Sequence, residues 1–153
     1  MRRATPSTSE ARSRVIAVDT SVIVDLLGDD GRADAAESCL RAALSLGPVV
    51  ACDVVVSEVV AGLGRSSELI DTLDEMGVGY LATELRAAAR AGEMQRRYNE
   101  RLKAAGRPPA TLRTVPDFLI GAHALLQCQA LITRDAGFFR DYFKGLKLIV
   151  PQA

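Results

Sequence analysis

The 153-residue chain has a single histidine, His123, and only three cysteines, Cys39, Cys52 and Cys128, with no CxxC spacing among them. A scattered, odd set of cysteines argues against a disulfide framework, and one histidine beside them argues against a structural zinc site. The cysteines read instead as small hydrophobes in a reducing compartment, and His123 as a structural or surface residue. No apolar run approaches the ~20 residues of a membrane span. The opening MRRATPSTSEARSR has arginines but no apolar stretch, so it is not a secretory signal. Residues 1–14 read as a loose polar leader, and the protein as cytoplasmic. There is no GxxxxGK[ST] loop, no GxGxxG fingerprint, and no Ser-His-Asp or Cys-His arrangement for nucleophilic catalysis.

Hydrophobic residues make up 48% of the chain and charged residues 25%, values of an ordinary globular protein. The length suits one domain over 15–153 with a core that needs no staples. Net charge is zero but unevenly spread. Residues 17–84 hold 13 acids against 3 bases, whereas residues 85–153 hold 12 bases against 5 acids. The densest basic stretch, 86–113, is either a solvated helix face or a surface for a polyanion.

Apolar runs and breakers place the elements. Residues 15–19, 49–52, 77–81, 130–133 and 148–150 read as short buried strands. Helices are expected over 20–27, 33–46, 54–63, 68–76, 84–105, 117–127 and 136–143. Asp53 and Thr83 are expected as N-caps. AGRPPATLRTVP, residues 105–116, is the one clear loop. Strands separated by helices imply right-handed crossovers and a mostly parallel sheet of four to five strands with helices on both faces, an α/β three-layer sandwich.

Four acids stand out against this frame. Asp19 ends the first strand and Asp135 follows the fourth, and each can simply cap the next helix. Asp117 opens a helix, where the dipole favours an acid. Glu58 is different, because its helical neighbours Val54, Val55, Ala61 and Gly62 are all apolar or small, and a glutamate on such a stripe needs a partner. Asp25 is read as lying on the exposed side of its short helix. Ligands of parallel α/β sheets bind beyond the carboxyl ends of the strands, where these four acids can converge. Carboxylates crowded together repel unless some are protonated or a cation neutralises them. Oxygen-only ligands suit Mg²⁺ or Mn²⁺, and such an ion supports hydrolysis of a phosphodiester.

VIAVDTSVIVDLL, SEVVAGL, PDFLIGAHAL and ALITRDAGFF, in this order and spacing, resemble the PIN-domain ribonucleases, and among them the VapC-type toxins of bacterial toxin–antitoxin pairs. The similarity runs over about 15–151. It implies a PIN-like fold and a Mg²⁺- or Mn²⁺-dependent endoribonuclease. Asp19, Glu58, Asp117 and Asp135 would then be the catalytic and metal-binding acids, supported by Thr20, Ser21 and Thr133. It also implies a homodimer, and a cognate VapB-type antitoxin whose tail occupies the acidic groove. Arg96, Arg97, Arg101, Arg107, Arg113 and Arg134 are candidates for contacts to the RNA backbone. Two rival readings are a PIN-like scaffold that binds RNA or a partner without cleaving it, and a metal-dependent phosphatase.

Overall fold

A computed structural model describes residues 14–28, 31–106 and 113–152 of the chain. Most of the expected leader, and Arg107 in the proline-rich loop, lie outside the described residues. The strands are β1 (Ile16–Val18), β2 (Val49–Ala51), β3 (Val78–Tyr80), β4 (Ala130–Ile132) and β5 (Lys147–Ile149). The helices are α1 (Thr20–Leu27), α2 (Ala33–Leu46), α3 (Asp53–Leu63), α4 (Ser66–Glu75), α5 (Leu85–Ala105), α6 (Val115–Gln127) and α7 (Ala136–Tyr142).

The five strands form one sheet in the order β3-β2-β1-β4-β5, and every pairing is parallel. The three central strands read IAV, VVA and ALI and are buried at every position, as a sheet covered on both faces requires. From β1 the chain steps outward to β2 and β3, then returns across the sheet to place β4 on the other side of β1. Right-handed crossovers put the helices of these two directions on opposite faces. The gap between β1 and β4 is therefore the topological switch point of the sheet, the place where such folds bind ligands. Ile16, Ala17 and Val18 pair there with Ala130, Leu131 and Ile132.

Several element ends differ from the expected ones for local reasons. Asp53 does not cap α3: Cys52 occupies that position, and Asp53 is the first helical residue. Thr83 does not cap α5, whose N-cap is Glu84. The two residues instead bond to each other, the Thr83 hydroxyl and N–H both donating to Asp53 Oδ1 at 2.7 and 3.0 Å. Helix α6 begins at Val115, two residues before Asp117, because Pro116 sits in the first turn, where a missing N–H costs nothing.

Helix α5 buries Ala87, Ala91, Met94 and Tyr98, a single stripe at i, i+4, i+7 and i+11. Tyr98, Phe118, Phe138 and Tyr142 pack ring on ring, with Phe118 fully buried among them. Gly121 of α6 faces the buried ring of Phe143, and a Cβ at position 121 would lie 2.3 Å from it. Alanine there gains up to about 1 kcal/mol of helix propensity, whereas forcing a methyl into a packed core costs about 1–3 kcal/mol or more. Gly121→Ala is expected to lower the urea midpoint by a net loss of about 2 kcal/mol of stability. An unchanged midpoint would mean that Phe143 repacks freely.

The three cysteines are free thiols, Cys52 buried and the other two half-buried. Burial pushes the Cys128 thiol up to about 12, so it is inert as a thiolate at neutral pH. Among the described residues no helix is long and apolar enough to cross a membrane.

Candidate active site

Asp19 ends β1 at the switch point and stands at the N-cap position of α1, yet its side chain makes no capping bond. Its carboxylate reaches across the sheet edge instead. Thr133, at the end of β4, donates its hydroxyl to Asp19 Oδ2 at 2.7 Å, and Ser21 donates to the same oxygen at 3.0 Å. The backbone fixes this juxtaposition, because the Asp19 N–H donates to the Ile132 carbonyl at 2.9 Å. Asp19 is only 7% exposed. Burial pushes its carboxyl above the usual range, and the bonds from Thr133, Ser21 and the Thr20 N–H pull it partly back. The charge of Asp117 adds to the upward push, which places that acid within electrostatic reach of Asp19.

Glu58 joins the group through Thr20, whose hydroxyl donates to Glu58 Oε1 at 2.8 Å. This bond is the partner that a glutamate on the apolar stripe of α3 required. Asp117 accepts from the Thr114 N–H at 3.1 Å, so it caps the first turn of α6 while keeping its charge near Asp19. Asp135 is held from the backbone, its N–H donating to the Thr133 hydroxyl at 2.9 Å. Thr133 therefore bridges Asp135 and Asp19. The carboxylate of Asp135 is ion-paired with Arg113.

As these side chains stand, no three acids, histidines or cysteines among the described residues form a group able to hold a metal ion. The chain relieves part of the expected repulsion with its own arginines. Arg113 neutralises Asp135 and also lies over the Phe138 ring, 4.5 Å from its centre. Arg134 neutralises Asp25, with Nε 2.6 Å from Oδ2. Asp19 has no such partner among the described residues: its contacts are hydroxyls and one N–H. A buried carboxylate served only by neutral donors, beside a second acid, fits a divalent cation of the hard, oxygen-seeking kind.

Asp25 corrects the sequence reading. It is 2% exposed rather than on an open helix face, and its Oδ1 is buried without a hydrogen-bond partner. Helix α1 also buries Val22 and Ile23, so Asp25 lies on a side of it that is covered. The partnership with Arg134 lies between distant segments and left no local trace. Of the other arginines, Arg96 pairs with Glu100 on an exposed face, while Arg97 and Arg101 line a groove beside α7. Gln127, which no sequence motif marks, is buried and clamps the start of α5, accepting from the Glu84 N–H and donating to the Ala82 carbonyl.

His123 is buried, with Nε2 2.8 Å from the Leu81 carbonyl oxygen. Burial lowers its tendency to protonate, and the Leu81 bond restores only part of it. The folded state then takes up this proton at a lower pH than the unfolded chain, whose histidine titrates at 6.5. Its contribution to stability is present above that pH and is lost as the pH falls below it. Urea unfolding of the wild type between pH 7.5 and 5 is expected to show this loss, and His123→Gln to flatten it.

The matches to known proteins agree with the architecture. A family model described as the PIN domain matches residues 16–144, and the chain belongs to that family. No curated protein sequence gives a significant match. VapBC2 from Rickettsia felis, solved bound to a DNA fragment from the promoter, superposes with a TM-score of 0.65 at 17% identity. That superposition covers 90% of this chain and 99% of the other. VapBC-1 from nontypeable Haemophilus influenzae gives 0.60 at 21% identity, over 89% and 97% of the two chains. Mycobacterium tuberculosis VapC20, described as a toxin that cleaves the sarcin-ricin loop, gives 0.58 at 19%, over 86% and 98%. At these identities the likeness is one of fold.

Proposed function

We propose that this chain is a metal-dependent endoribonuclease that hydrolyses RNA phosphodiester bonds and acts as the toxin of a type II toxin–antitoxin pair. The observation that carries this reading is Asp19. It is a buried carboxylate at the switch point of a PIN-domain sheet, held by hydroxyls and raised by burial and by the charge of Asp117. Asp19 and Asp117 would hold Mg²⁺ or Mn²⁺, with Glu58 and Asp135 completing the set directly or through water. Such an ion, when bound, supplies an acidified water and offsets charge on the phosphoryl oxygens.

The remaining work belongs to the chain's own residues. Thr133 and Ser21 fix the Asp19 carboxylate in one orientation, and Thr20 does the same for Glu58. Glu58 would complete the metal's shell or orient the attacking water. Cationic side chains of the second half hold the RNA through its phosphates. The similar R. felis and H. influenzae structures are of VapBC, which supports a VapB-type antitoxin as partner, and the reading includes a homodimer.

The purified protein, given RNA with Mg²⁺ or Mn²⁺, is expected to cleave it and to leave a phosphomonoester intact. The reverse outcome would establish the phosphatase reading, and metal binding without hydrolysis of any RNA would establish the scaffold. Sequencing RNA ends after controlled expression would then identify the cleaved site.

A further inference from the structure

A second feature lies outside the acids. A cavity of about 210 Å³ opens between α5 and α7, lined by Arg90, Arg97 and Arg101 of α5, with Lys144 and one acid, Asp141, across from them. The three arginines sit at i, i+7 and i+11, flanking the buried stripe of the same helix, so they face one side and spread over ~16 Å of helix length. Arg97 and Lys144 have neither a hydrogen bond nor an ion pair among the described residues. Arg101 lies over the Tyr142 ring, 5.1 Å from its centre, which steadies the guanidinium while leaving its edge N–H groups to an incoming ligand.

This groove is connected to the acids. Tyr142 packs on Phe138 at 5.4 Å between ring centres, and Phe138 carries Arg113, the partner of Asp135. A row of cations thus runs from Arg90 and Arg97 through Arg101 to Arg113 at the edge of the site, on a floor of aromatic rings. The groove sets Arg90, Arg97, Arg101 and Lys144 against Asp141 and the Glu93 that pairs with Arg90 at 3.7 Å. Arg97, Arg101 and Lys144 have no ion pair among the described residues, so this concave surface selects a polyanion with regularly repeated charge. We infer that this groove binds the phosphate backbone of a single-stranded RNA on one side of the scissile bond. The inference rests on the nuclease reading for the identity of the polyanion, and adds Arg90 and Lys144 to the residues that meet it.

The test is binding of a fluorescent 12-nucleotide single-stranded RNA to the full chain in EDTA, followed by anisotropy over a salt series. Arg97→Ala combined with Lys144→Ala is expected to weaken binding about tenfold and to reduce the log–log salt slope by about 1.4, two phosphate contacts on a single strand. Arg41→Ala with Arg65→Ala removes the same charge from α2 and from the N-cap of α4 and is expected to leave both quantities unchanged. Equal losses in the two double variants would overturn the groove as a site, because net charge alone would explain them. Unchanged RNA binding in Arg97→Ala/Lys144→Ala, in protein that still cleaves RNA, would overturn the groove and leave the nuclease reading standing. A wild type that neither binds nor cleaves RNA would overturn both. An acidic peptide that displaces the RNA from the wild type at equal charge concentration would show a protein segment to be the occupant instead.

Discussion

Asp19→Asn is expected to reduce RNA cleavage by about a thousandfold, ~4 kcal/mol of transition-state stabilisation, while leaving the protein folded. The amide keeps the size of the carboxylate and one oxygen to accept from Thr133 or Ser21, but it carries no charge to hold a divalent ion. Stability is expected to hold or rise. In the wild type the folded-state carboxyl is raised above its ordinary 3.8 by burial, so its charge opposes folding once the pH exceeds that range. The contribution favours the folded state at low pH and is lost as the pH rises through the folded value. Any stability gained by Asp19→Asn is therefore largest near neutrality and vanishes in acid. Mn²⁺ titration supplies the independent readout: the ion is expected to raise the wild-type melting temperature by mass action and to leave that of the variant nearly unmoved. Cleavage within tenfold of wild type, in a folded variant, would remove Asp19 from the chemistry.

Arg134→Ala is expected to cost about 2–3 kcal/mol of stability, since it leaves the Asp25 carboxylate buried without its cation. The full cost of breaking a buried pair is discounted because the Arg134 side chain is 38% exposed while that of Asp25 is 2% exposed. Asp25→Ala combined with Arg134→Ala is expected to be more stable than Arg134→Ala alone, since the stranded charge is then gone, with a coupling of about 1–2 kcal/mol in the double-mutant cycle. The same variants decide between two roles for Arg134. A residue that anchors the turn after β4 changes the urea midpoint, whereas one that contacts RNA changes the salt-dependent affinity and leaves stability alone. Loss of RNA affinity at unchanged midpoint would refute the anchor.

Much of the architecture could be read from the chain because it is written in local pattern. Each central strand is a short apolar run, and each is followed by a helix, so the parallel sheet follows from alternation alone. The same logic put Asp19 and Asp135 at the carboxyl edge, and the apolar neighbours of Glu58 announced a partner, found in Thr20. Readings failed where a side chain had two local options and a distant residue chose between them. Asp53 has the chemistry of a cap, yet Thr83, thirty residues on, binds its carboxylate. Burial pushes that carboxyl up, but the Thr83 bonds together with the backbone N–H groups of Asp53 and Val54 outweigh it, so it stands below its usual range. Asp25 was assigned to solvent because helical periodicity over eight residues cannot tell a half-covered helix from one covered almost all round. The pairing of Arg113 with Asp135 joins the end of the proline-rich loop to α7, a meeting that neither stretch encodes by itself.

The strand order also sets a timetable. Ile16 pairs on one side with Ala130, which is made more than a hundred residues later. Closing so long a span is entropically slow, and the intervening helices must dock before it is favourable. Thr133, whose hydroxyl fixes Asp19, is made 114 residues after it. During synthesis the carboxylate of Asp19 therefore lacks its anchor until β4 has been made, and the pocket takes shape only after that.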